Sequence, residues 1–285
     1  MQTLAQIREL LEARGLSPQK MFGQNFLIDH NLIRKLVDAA QLNAGDVVLE
    51  VGPGTGVLTE ELIERGCKVI ACDIDRGLCE LLRERLGSCI TLIEGDCLAS
   101  KHALSQQLSD ALSLFDITHD SPKYFKLVAN LPYACATPLM MILLSQWQSC
   151  DGLFVTIQKE VADRLAAKHS TKEYGPISVL SQSVSNVEMI AKLPPHCFWP
   201  QPDVTSAMIS LTRLPNPKTK DPPGLLSFCN RLFEQRRKQL GGVLAAMQSE
   251  GDIETVPSTL DATRRAESMS VAELISLFQQ VGWKK

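Results

Sequence analysis

The sequence lacks any long hydrophobic run. No stretch of its 285 residues approaches the roughly 18 consecutive apolar residues of a membrane span. The amphipathic N-terminal segment carries Glu9 and Glu12, so it has neither the apolar centre of a secretory signal nor the acid-poor character of a transit peptide. With 45% hydrophobic residues, the chain is expected to be a soluble globular protein with a substantial core.

Paired cysteines are also lacking. The nine cysteines are odd in number and scattered, and no two of them have the C-x-x-C spacing. This pattern argues against a disulfide framework and against a structural zinc site. It predicts reduced, mostly buried thiols in a cytoplasmic protein that binds no metal.

A strong net charge is missing too, because the formal charge is only −3. The charge is unevenly distributed, however: residues 213–285 hold 11 Lys+Arg and 8 Asp+Glu, and the rest of the chain is acidic. The basic residues of this C-terminal part form two clusters: Arg231, Arg236, Arg237 and Lys238, followed by Arg264 and Arg265. The clusters fit either a solvated helix face or a surface that contacts phosphates.

Apolar segments alternate with helical patterns along most of the chain. Segments typical of buried strands cover residues 46–51, 68–72, 90–94, 124–129, 152–157, 184–193 and 205–214. Helical spacing covers residues 7–14, 31–40, 58–64 and 77–86, and residues 99–123 are expected to form a helix and a surface loop. The alternation predicts an α/β fold with a parallel, doubly wound, Rossmann-like sheet.

A second domain is predicted beyond a proline-rich linker. Prolines at 215, 217, 222 and 223 end strand structure and stiffen the connection. Residues 225–232, 240–247 and 271–281 then show helical spacing. The expected organisation is one α/β domain over residues 1–214 and a small all-helical domain over residues 215–285.

A glycine-rich turn follows the first sheet strand and opens a helix. Its spacing, from Gly52 through Gly54 to Gly56, is G-x-G-x-G and differs from the G-x-G-x-x-G of dinucleotide-binding proteins. Glycine lets the backbone turn tightly and approach a ligand closely. The acidic Glu50 just before the turn favours a cationic or hydroxyl-bearing ligand over a polyphosphate.

Two acidic residues end the next two strands. Asp73 is placed to accept hydrogen bonds from ribose hydroxyls, and Asp96 from an adenine amino group. Each alone could be an ordinary helix N-cap. Together with the glycine turn, they predict a site for S-adenosylmethionine. The segment 22–27 could either pack its Phe residues on the core or act as a lid whose Asn25 and Leu27 cover this cofactor.

The tetrapeptide Asn130-Leu131-Pro132-Tyr133 ends the fourth strand. An exocyclic amine of a nucleobase is a poor nucleophile, because its lone pair is delocalised into the ring. The Asn130 side-chain oxygen and a nearby backbone carbonyl could accept the two amine hydrogens and restore lone-pair character. Leu131 and Pro132 are expected to contact the base, and Tyr133 to stack on it. The alternative is a simple strand-to-loop turn with an aromatic plug.

Taken together, the motifs resemble the small-subunit ribosomal RNA adenine N6,N6-dimethyltransferases over nearly the whole chain. The matching segments are FGQNFL at 22–27, EVGPGTG at 50–56, GD at 95–96, NLPY at 130–133, VTIQKEVADRL at 155–165, YGPISV at 174–179, FWPQPDVTSA at 198–207, FEQRRKQL at 233–240 and RRAESMSVAEL at 264–274. Two features depart from the family pattern: Asp73 stands where many members have Glu, and the segment between Asp96 and Asn130 is longer than expected.

The resemblance implies a class I methyltransferase fold, S-adenosylmethionine as cofactor and particular site residues. The implied cofactor contacts are Asn25, Leu27, Gly52, Gly54, Asp73, Asp96 and Asn130. The implied residues around the target adenine are Asn130, Tyr133 and Phe198, the last as a second stacking face opposite Tyr133. The implied RNA contacts include Arg236, Arg237 and Lys238.

The resemblance also implies a reaction and a partner. The expected enzyme dimethylates two adjacent adenosines in the 3′-terminal hairpin of small-subunit ribosomal RNA, within an immature small subunit. A monomer is expected. Two alternatives stay open: methylation of large-subunit RNA or of DNA adenine, and a non-catalytic role in ribosome assembly or transcription.

Overall fold

The computed structural model describes residues 2–19 and 22–284. A seven-stranded sheet consists of β2 (Val47–Val51), β3 (Lys68–Asp73), β4 (Ile90–Glu94), β7 (Phe125–Asn130), β8 (Cys150–Gln158), β9 (Ser185–Leu193) and β11 (Ser206–Arg213). Two further pairs are short: β1 (Phe26–Leu27) with β10 (Phe198–Trp199), and β5 (Leu98–Ser100) with β6 (Ala103–Leu104). All seven predicted strands are confirmed, each to within two residues at either end.

The order of the strands creates a crevice. It runs β4-β3-β2-β7-β8-β11-β9, with parallel neighbours from β4 to β8 and an antiparallel β11 beside β8. The chain moves outward from β2 to β4 and then resumes at β7 on the other side of β2. Such a reversal leaves a ligand-sized gap at the carboxyl ends of the strands. The predicted doubly wound α/β class is confirmed.

Eleven α-helices are described: α1 (Leu4–Glu12), α2 (His30–Ala39), α3 (Val57–Glu64), α4 (Arg76–Leu86), α5 (Gln106–Ser113), α6 (Tyr133–Gln146), α7 (Lys159–Leu165), α8 (Pro176–Val184), α9 (Pro222–Phe233), α10 (Leu240–Ser249) and α11 (Val271–Val281). Side chains fix several helix starts. Asp29 caps α2 and Asp75 caps α4, each by accepting two backbone N–H bonds. Ser270 and Glu273 form a reciprocal capping box at the start of α11.

One face of the sheet packs on the segments that come before it in the chain. Val128 of β7, Phe154 of β8 and Met208 of β11 belong to one buried cluster with Leu36 of α2 and Leu27 of β1. Strand β1 is therefore fixed near the carboxyl end of β7. This packing brings residues 22–27 to the gap in the sheet, although about a hundred residues separate them from β7 along the chain.

Contacts divide the chain into two compact units. The first comprises Met1–Leu143, Trp147–Ala162 and Glu188–Thr212, and the second comprises Leu144–Gln146, Asp163–Val187 and Arg213–Lys285. The last stretch of the second unit begins within two residues of the predicted boundary at 214/215. The sequence pattern divides the chain only once, however, and it does not assign residues 163–187 to the helical part.

Packing explains why residues 163–187 join the second unit. Tyr174 and Val179 are buried in a cluster with Phe228 of α9, Leu244 of α10 and Leu274 of α11. Helix α8 thus completes the apolar core of the helices that follow it by some forty residues. Its sequence, PISVLSQSV, is rich in serine and β-branched residues, which are poor helix formers, so the sequence pattern does not predict α8.

Two other expectations are settled by the fold. Residues 99–123 contain α5 and a surface loop, as predicted, preceded by the small β5–β6 pair. All nine cysteines are free and seven of them are buried, which confirms the prediction of unpaired, mostly buried thiols. Over residues 2–19 and 22–284, no helix has the length and apolarity to cross a bilayer, and no group of three or more potential metal ligands is present.

Candidate active site

A cleft opens at the carboxyl ends of β2, β3, β4 and β7. The space inside it, counting the open mouth, is about 900 Å³. The walls come from the glycine turn, the ends of β3 and β4, residues 22–26 and residues 130–135. Most of the residues singled out in the sequence therefore converge on one space.

The glycine turn touches the two other motifs that border the cleft. Gly52 and Gly54 have φ angles of +73° and +61°, in the left-handed region that favours glycine. A Cβ on Gly52 would lie 2.8 Å from Cγ of Pro132, and one on Gly54 would lie 2.7 Å from Cε1 of Phe26. The turn is thus packed against the NLPY segment and the 22–27 segment with no room for a side chain.

Asp73 brings a nearly buried carboxyl to the cleft. The side chain is 8% exposed, Oδ1 accepts a hydrogen bond from the Asp75 N–H at 2.9 Å, and Oδ2 accepts one from the Gly54 N–H at 3.4 Å. Burial raises the pKa of Asp73 to about 6, although these backbone hydrogen bonds favour the charged form. The carboxylate that predominates at neutral pH has further lone pairs available for a ligand.

Asp96 also lines the cleft, at the end of β4, and it is exposed. Its Oδ1 accepts a hydrogen bond from the Leu98 N–H at 2.9 Å, which fixes the side chain in a local turn. The structure therefore places the two acids at the ends of neighbouring strands, as the sequence predicted.

Glu50 does not face the main cleft. It is 2% exposed and lines a smaller cavity behind the glycine turn, where Thr59 Oγ1 donates to its Oε2 at 2.7 Å. Burial raises the pKa of Glu50 to about 8, despite the Thr59 hydrogen bond, so its protonated form dominates at neutral pH. A role in attracting a cationic ligand, inferred from the sequence, does not fit a buried and mostly neutral acid.

The NLPY segment presents two hydrogen-bond acceptors without donors. The Asn130 Nδ2 amide donates to the backbone oxygen of Asn25 at 2.9 Å, and the Leu131 N–H donates to the Thr156 oxygen at 3.1 Å. Within the described part of the chain, no group donates to Asn130 Oδ1 or to the Leu131 carbonyl oxygen. Both residues line the cleft, where Asn130 is half-buried and Leu131 is 2% exposed.

Tyr133 is the first residue of α6 and lines the cleft beside Asn130. Its ring is half-buried, and its hydroxyl lies 2.8 Å from Ser206 Oγ. Partial burial raises the pKa of the phenol above its usual value, so the group is neutral at physiological pH. An aromatic face is thereby held next to the two acceptors.

Residues 22–27 cover one side of the cleft. Gln24 Nε2 donates to Asp75 Oδ2 at 2.8 Å, and Asn25 Nδ2 donates to the Gly23 oxygen at 3.1 Å. Asn25 lines the cleft, but Leu27 lines only the smaller cavity, because its pairing in β1 turns it into the core. Leu27 is thus not among the lining residues of the main cleft, and its contact with a cofactor stays a prediction.

The structure does not place Phe198 opposite Tyr133. Phe198 is 2% exposed, pairs with Leu27 across the β1–β10 ladder and is absent from the residues that line the cleft. Its neighbour Trp199 stacks on Phe26, with ring centroids 6.2 Å apart. The ladder directs the Phe198 ring into the core, so its interpretation as a second stacking face has no support in the geometry.

Several apolar residues of the cleft were missed by sequence reasoning. Ile74 lines it with half of its surface exposed, and Leu78 and Cys135 contribute further apolar wall. The only signal for Ile74 is its position directly after the acid that ends β3. Leu78 and Cys135 lie within helices, and nothing in the sequence indicates that they face a ligand.

The basic residues divide into paired and unpaired groups. Arg236 forms an ion pair with Glu267 and donates to the backbone oxygens of Lys172 at 2.7 Å and Thr171 at 2.8 Å. Arg231 and Arg264 are likewise held by acidic neighbours. These contacts favour the interpretation that Arg236 braces the second unit internally.

Three other basic residues are exposed, and we call them the basic patch: Arg237, Lys238 and Arg265. A β-bridge between Gln239 and Arg265 brings the two ends of the patch together. Their side chains form no ion pair or hydrogen bond with the residues that the structure describes. The patch therefore presents free positive charge on the second unit.

The cleft suits a nucleoside that carries no phosphate. It has acidic groups at two strand ends, an exposed apolar side chain at Ile74, and no lysine or arginine among its described lining residues. A polyphosphate would meet two carboxylates and no basic partner. S-adenosylmethionine fits better, because it combines ribose hydroxyls, an adenine ring and a positively charged sulfonium.

Comparison with known proteins identifies the family. The model of a family described as "Ribosomal RNA adenine dimethylase" matches residues 15–282. The chain belongs to this family. A curated member, the ribosomal RNA small subunit methyltransferase A of Geobacillus kaustophilus, is 37% identical over 288 residues, which cover 96% of this chain and 94% of that protein.

Solved structures support the fold expected for the family. A dimethyladenosine transferase from Plasmodium falciparum superposes with a TM-score of 0.68 and 20% identity, covering 88% of this chain and 95% of that one. The 23S rRNA methyltransferase ErmE superposes with a TM-score of 0.61 and 23% identity, covering 90% of this chain and 100% of that one. The methyltransferase fold and the helical C-terminal region are thereby confirmed.

Proposed function

We propose that this protein transfers methyl groups from S-adenosylmethionine to the N6 amines of two adjacent adenosines in the 3′-terminal hairpin of small-subunit ribosomal RNA. Membership of the adenine dimethylase family and the name of the 37% identical relative support the substrate class. The single observation that carries the chemistry is the free acceptor Asn130 Oδ1, next to the Leu131 carbonyl that also has no donor, at the edge of the cleft.

The proposed roles of the cofactor residues follow from their places in the cleft. When bound, S-adenosylmethionine supplies an electrophilic methyl group on a sulfonium. Asp73 accepts hydrogen bonds from the ribose hydroxyls, and Asp96 accepts one from the adenine amino group. Gly52 and Gly54 leave the backbone open to the ligand, and Asn25 covers the site as part of the 22–27 segment. Leu27 acts indirectly, by anchoring that segment in the core.

Asn130 activates the target amine without acting as a base. Its Nδ2 group is already engaged by the Asn25 oxygen, so the side chain is oriented with Oδ1 left for the substrate. When both hydrogens of the amino group are bound by these two acceptors, the nitrogen lone pair is less delocalised into the ring and more available for attack. The amine then attacks in a fixed orientation, and orientation of this kind is worth roughly 7–11 kcal/mol of a barrier. The proton leaves only after the nitrogen has become positively charged.

The target base must leave its stack to reach the cleft. Tyr133 offers a ring face that returns about 1–3 kcal/mol per stacked base. Pro132 fixes the turn that carries this ring, and Leu131 and Pro132 form the adjoining surface. The wild-type site must also accept an amine that already carries one methyl group, whose single remaining hydrogen can bind only one of the two acceptors.

The basic patch is proposed to contact phosphates of the RNA. It consists of exposed and unpaired Arg237, Lys238 and Arg265, whereas Arg236 is engaged internally. We place the reaction on an immature small ribosomal subunit in the cytoplasm, with the protein acting as a monomer. The RNA substrate is consistent with the family, and the cytoplasm is the compartment in which such a subunit is assembled.

The decisive experiment replaces Asn130 with alanine. Turnover on immature small subunits should fall by roughly a hundredfold or more, the scale of losing one preorganised hydrogen-bonding group from an active site. Mass spectrometry of the RNA would measure dimethyladenosine, and Asn31→Ala, on the exposed surface of α2, is the matched control. Unchanged unfolding temperatures would show that both variants fold.

If the Asn130→Ala variant had the same turnover as the wild type, Asn130 would not activate the target amine and the proposed chemistry would be wrong. The same assay should include isolated small-subunit RNA, isolated large-subunit RNA and duplex DNA. Methylation confined to large-subunit RNA or to DNA would keep the chemistry and overturn the substrate. Absence of methylation on every substrate, together with tight binding to immature subunits, would favour a non-catalytic assembly role.

A further inference from the structure

One hydrogen bond behind the NLPY segment has no part in the roles described so far. The Tyr133 hydroxyl lies 2.8 Å from Oγ of Ser206, which is the first residue of β11 and 73 positions further along the chain. Ser206 is completely buried. Both residues belong to the first compact unit, so the contact lies within one tightly packed part of the chain.

Ser206 is well fixed by its surroundings. It is in register with Gln158 in the antiparallel β8–β11 ladder, and the neighbouring Thr205 oxygen accepts the Lys159 N–H at 3.0 Å. The serine hydroxyl is therefore presented from a rigid strand end. Tyr133, in contrast, is a half-buried side chain at the first position of a helix, directly after Pro132.

We propose that Ser206 is a positioning residue for the target adenine: its hydroxyl holds the Tyr133 ring at one angle and so sets the plane in which the base stacks. The inference rests on the proposed function, in which Tyr133 stacks on that base. Ser206 does not touch the substrate itself. It acts through the tyrosine hydroxyl, in the way that supporting hydrogen bonds orient the groups of other active sites.

The second methyl transfer should depend on this angle more than the first. An adenine with a free amino group can reach the two acceptors from a range of base orientations. Once the amine carries a methyl group, one hydrogen is replaced and the nitrogen substituent is larger, so fewer orientations bring the lone pair towards the cofactor. If the tyrosine ring is no longer held at one angle, a larger fraction of the RNA should therefore dissociate after only one methylation.

A purely structural role for the hydrogen bond predicts something different. If Ser206 only satisfied a buried hydroxyl, its removal would lower the stability of the fold and leave the products unchanged. The ratio of monomethyladenosine to dimethyladenosine, compared at equal total methylation, is therefore the informative quantity, because at equal conversion it responds to the orientation of the base and not to the amount of folded enzyme.

The test combines Ser206→Ala, Tyr133→Phe and the double variant. Each single change removes the same hydrogen bond and keeps the aromatic ring or the strand intact. We expect each to lower kcat/KM for the RNA by roughly three- to tenfold, the range for removal of one hydrogen bond. The monomethylated fraction should rise, KM for S-adenosylmethionine should stay constant, and the double variant should equal either single one.

Ser210→Ala is the matched control, because Ser210 is a second buried serine of β11, four residues further from the cleft. It should leave the product ratio unchanged even if it lowers the unfolding temperature. Calorimetric binding of S-adenosylmethionine to every variant would show that each protein is folded.

Three outcomes would overturn the positioning role: losses of activity that add in the double variant, an unchanged product ratio in Ser206→Ala, or an equal change in the Ser210→Ala control. In each of these cases wild-type enzyme still makes dimethyladenosine, so the proposed function stands. If the wild type makes none, the proposed function fails, and the role of Ser206 fails with it.

Discussion

At the scale of the residue, Asp73 is unusual because its protonation affects folding and ligand binding in opposite directions. Burial raises its pKa to about 6, so the folded state binds this proton more tightly than an unfolded chain with a value of 3.8 does. Its contribution to the free energy of unfolding is therefore largest at low pH and is lost as the pH rises from about 4 to about 6. A ribose hydroxyl, in contrast, is bound best by the carboxylate that forms above this range.

We expect the affinity for S-adenosylmethionine to depend on the ionisation of Asp73. Below pH 6 the carboxyl must first lose its proton, so the dissociation constant should rise by up to about tenfold for each pH unit of acidification. Calorimetric titrations between pH 5 and 8 would measure this dependence. The Asp73→Asn variant should bind weakly at every pH, and its dissociation constant should not rise below pH 6. If the dissociation constant of the variant still rose on acidification, another group would be responsible.

At the scale of the element, the glycine turn and the NLPY segment are locked together. The Gly52 backbone lies against the Pro132 ring, and no side chain can be inserted between them without moving one of the two. The turn that borders the cofactor site and the turn that carries Asn130 therefore form one packed unit. A change that separates them should affect the transfer step as well as cofactor binding.

Gly52→Ala tests this packing. Alanine at φ +73° costs about 1–2 kcal/mol in backbone strain, and its Cβ would also clash with Pro132. We expect lower stability, weaker cofactor binding and a reduced kcat. Gly15→Ala is the control, since Gly15 has φ +64° and a Cβ there would meet no atom within 4 Å. Denaturant unfolding and turnover would be measured for both, and equal effects on turnover would contradict the packing role.

At the scale of the whole molecule, positive charge is concentrated in the C-terminal part although the chain is acidic overall. Several arginines there are neutralised by acidic neighbours, for example Arg231 by Asp252 and Arg264 by Glu273. Within the two basic clusters, the residues of the basic patch have no such acidic partner. Phosphate binding by such a patch depends strongly on salt, because each contact releases counterions.

We expect the triple variant Arg237→Ala, Lys238→Ala, Arg265→Ala to bind RNA more weakly and to flatten the salt dependence. The slope of log K against log salt should fall by roughly 0.7–0.9 for each phosphate that the variant no longer neutralises. Lys220→Ala, an exposed lysine outside the patch, should change neither quantity.

The Arg236→Ala variant distinguishes a role of Arg236 in stabilising the second unit from a role in binding RNA. It should lower the unfolding temperature, because Arg236 holds Glu267 and the 171–172 backbone, and it should leave the salt slope unchanged. Salt titrations by filter binding or anisotropy would measure all variants. If the triple variant had the same salt slope as the wild type, the patch would be a solvated surface that does not contact phosphates.

Sequence by itself determined the sheet strands, the glycine turn, the acids at the ends of β3 and β4, and Asn130. Each is a local pattern: an apolar run of strand length, a backbone position that favours glycine, or a polar residue directly after a buried strand. Such patterns are readable because their physical cause lies within a few neighbouring residues. The family motifs added the type of ligand and the reaction.

Tertiary structure alone decided the contacts between distant segments. The β1–β10 ladder buried Phe198 and turned Leu27 away from the main cleft, while the packing of α8 on α9 to α11 moved residues 163–187 into the second unit. The bond between Tyr133 and Ser206, and the one between Asn130 and Asn25, join residues 73 and 105 positions apart. No local pattern encodes these choices, because they depend on which buried surfaces and hydrogen-bonding groups meet once the sheet has formed.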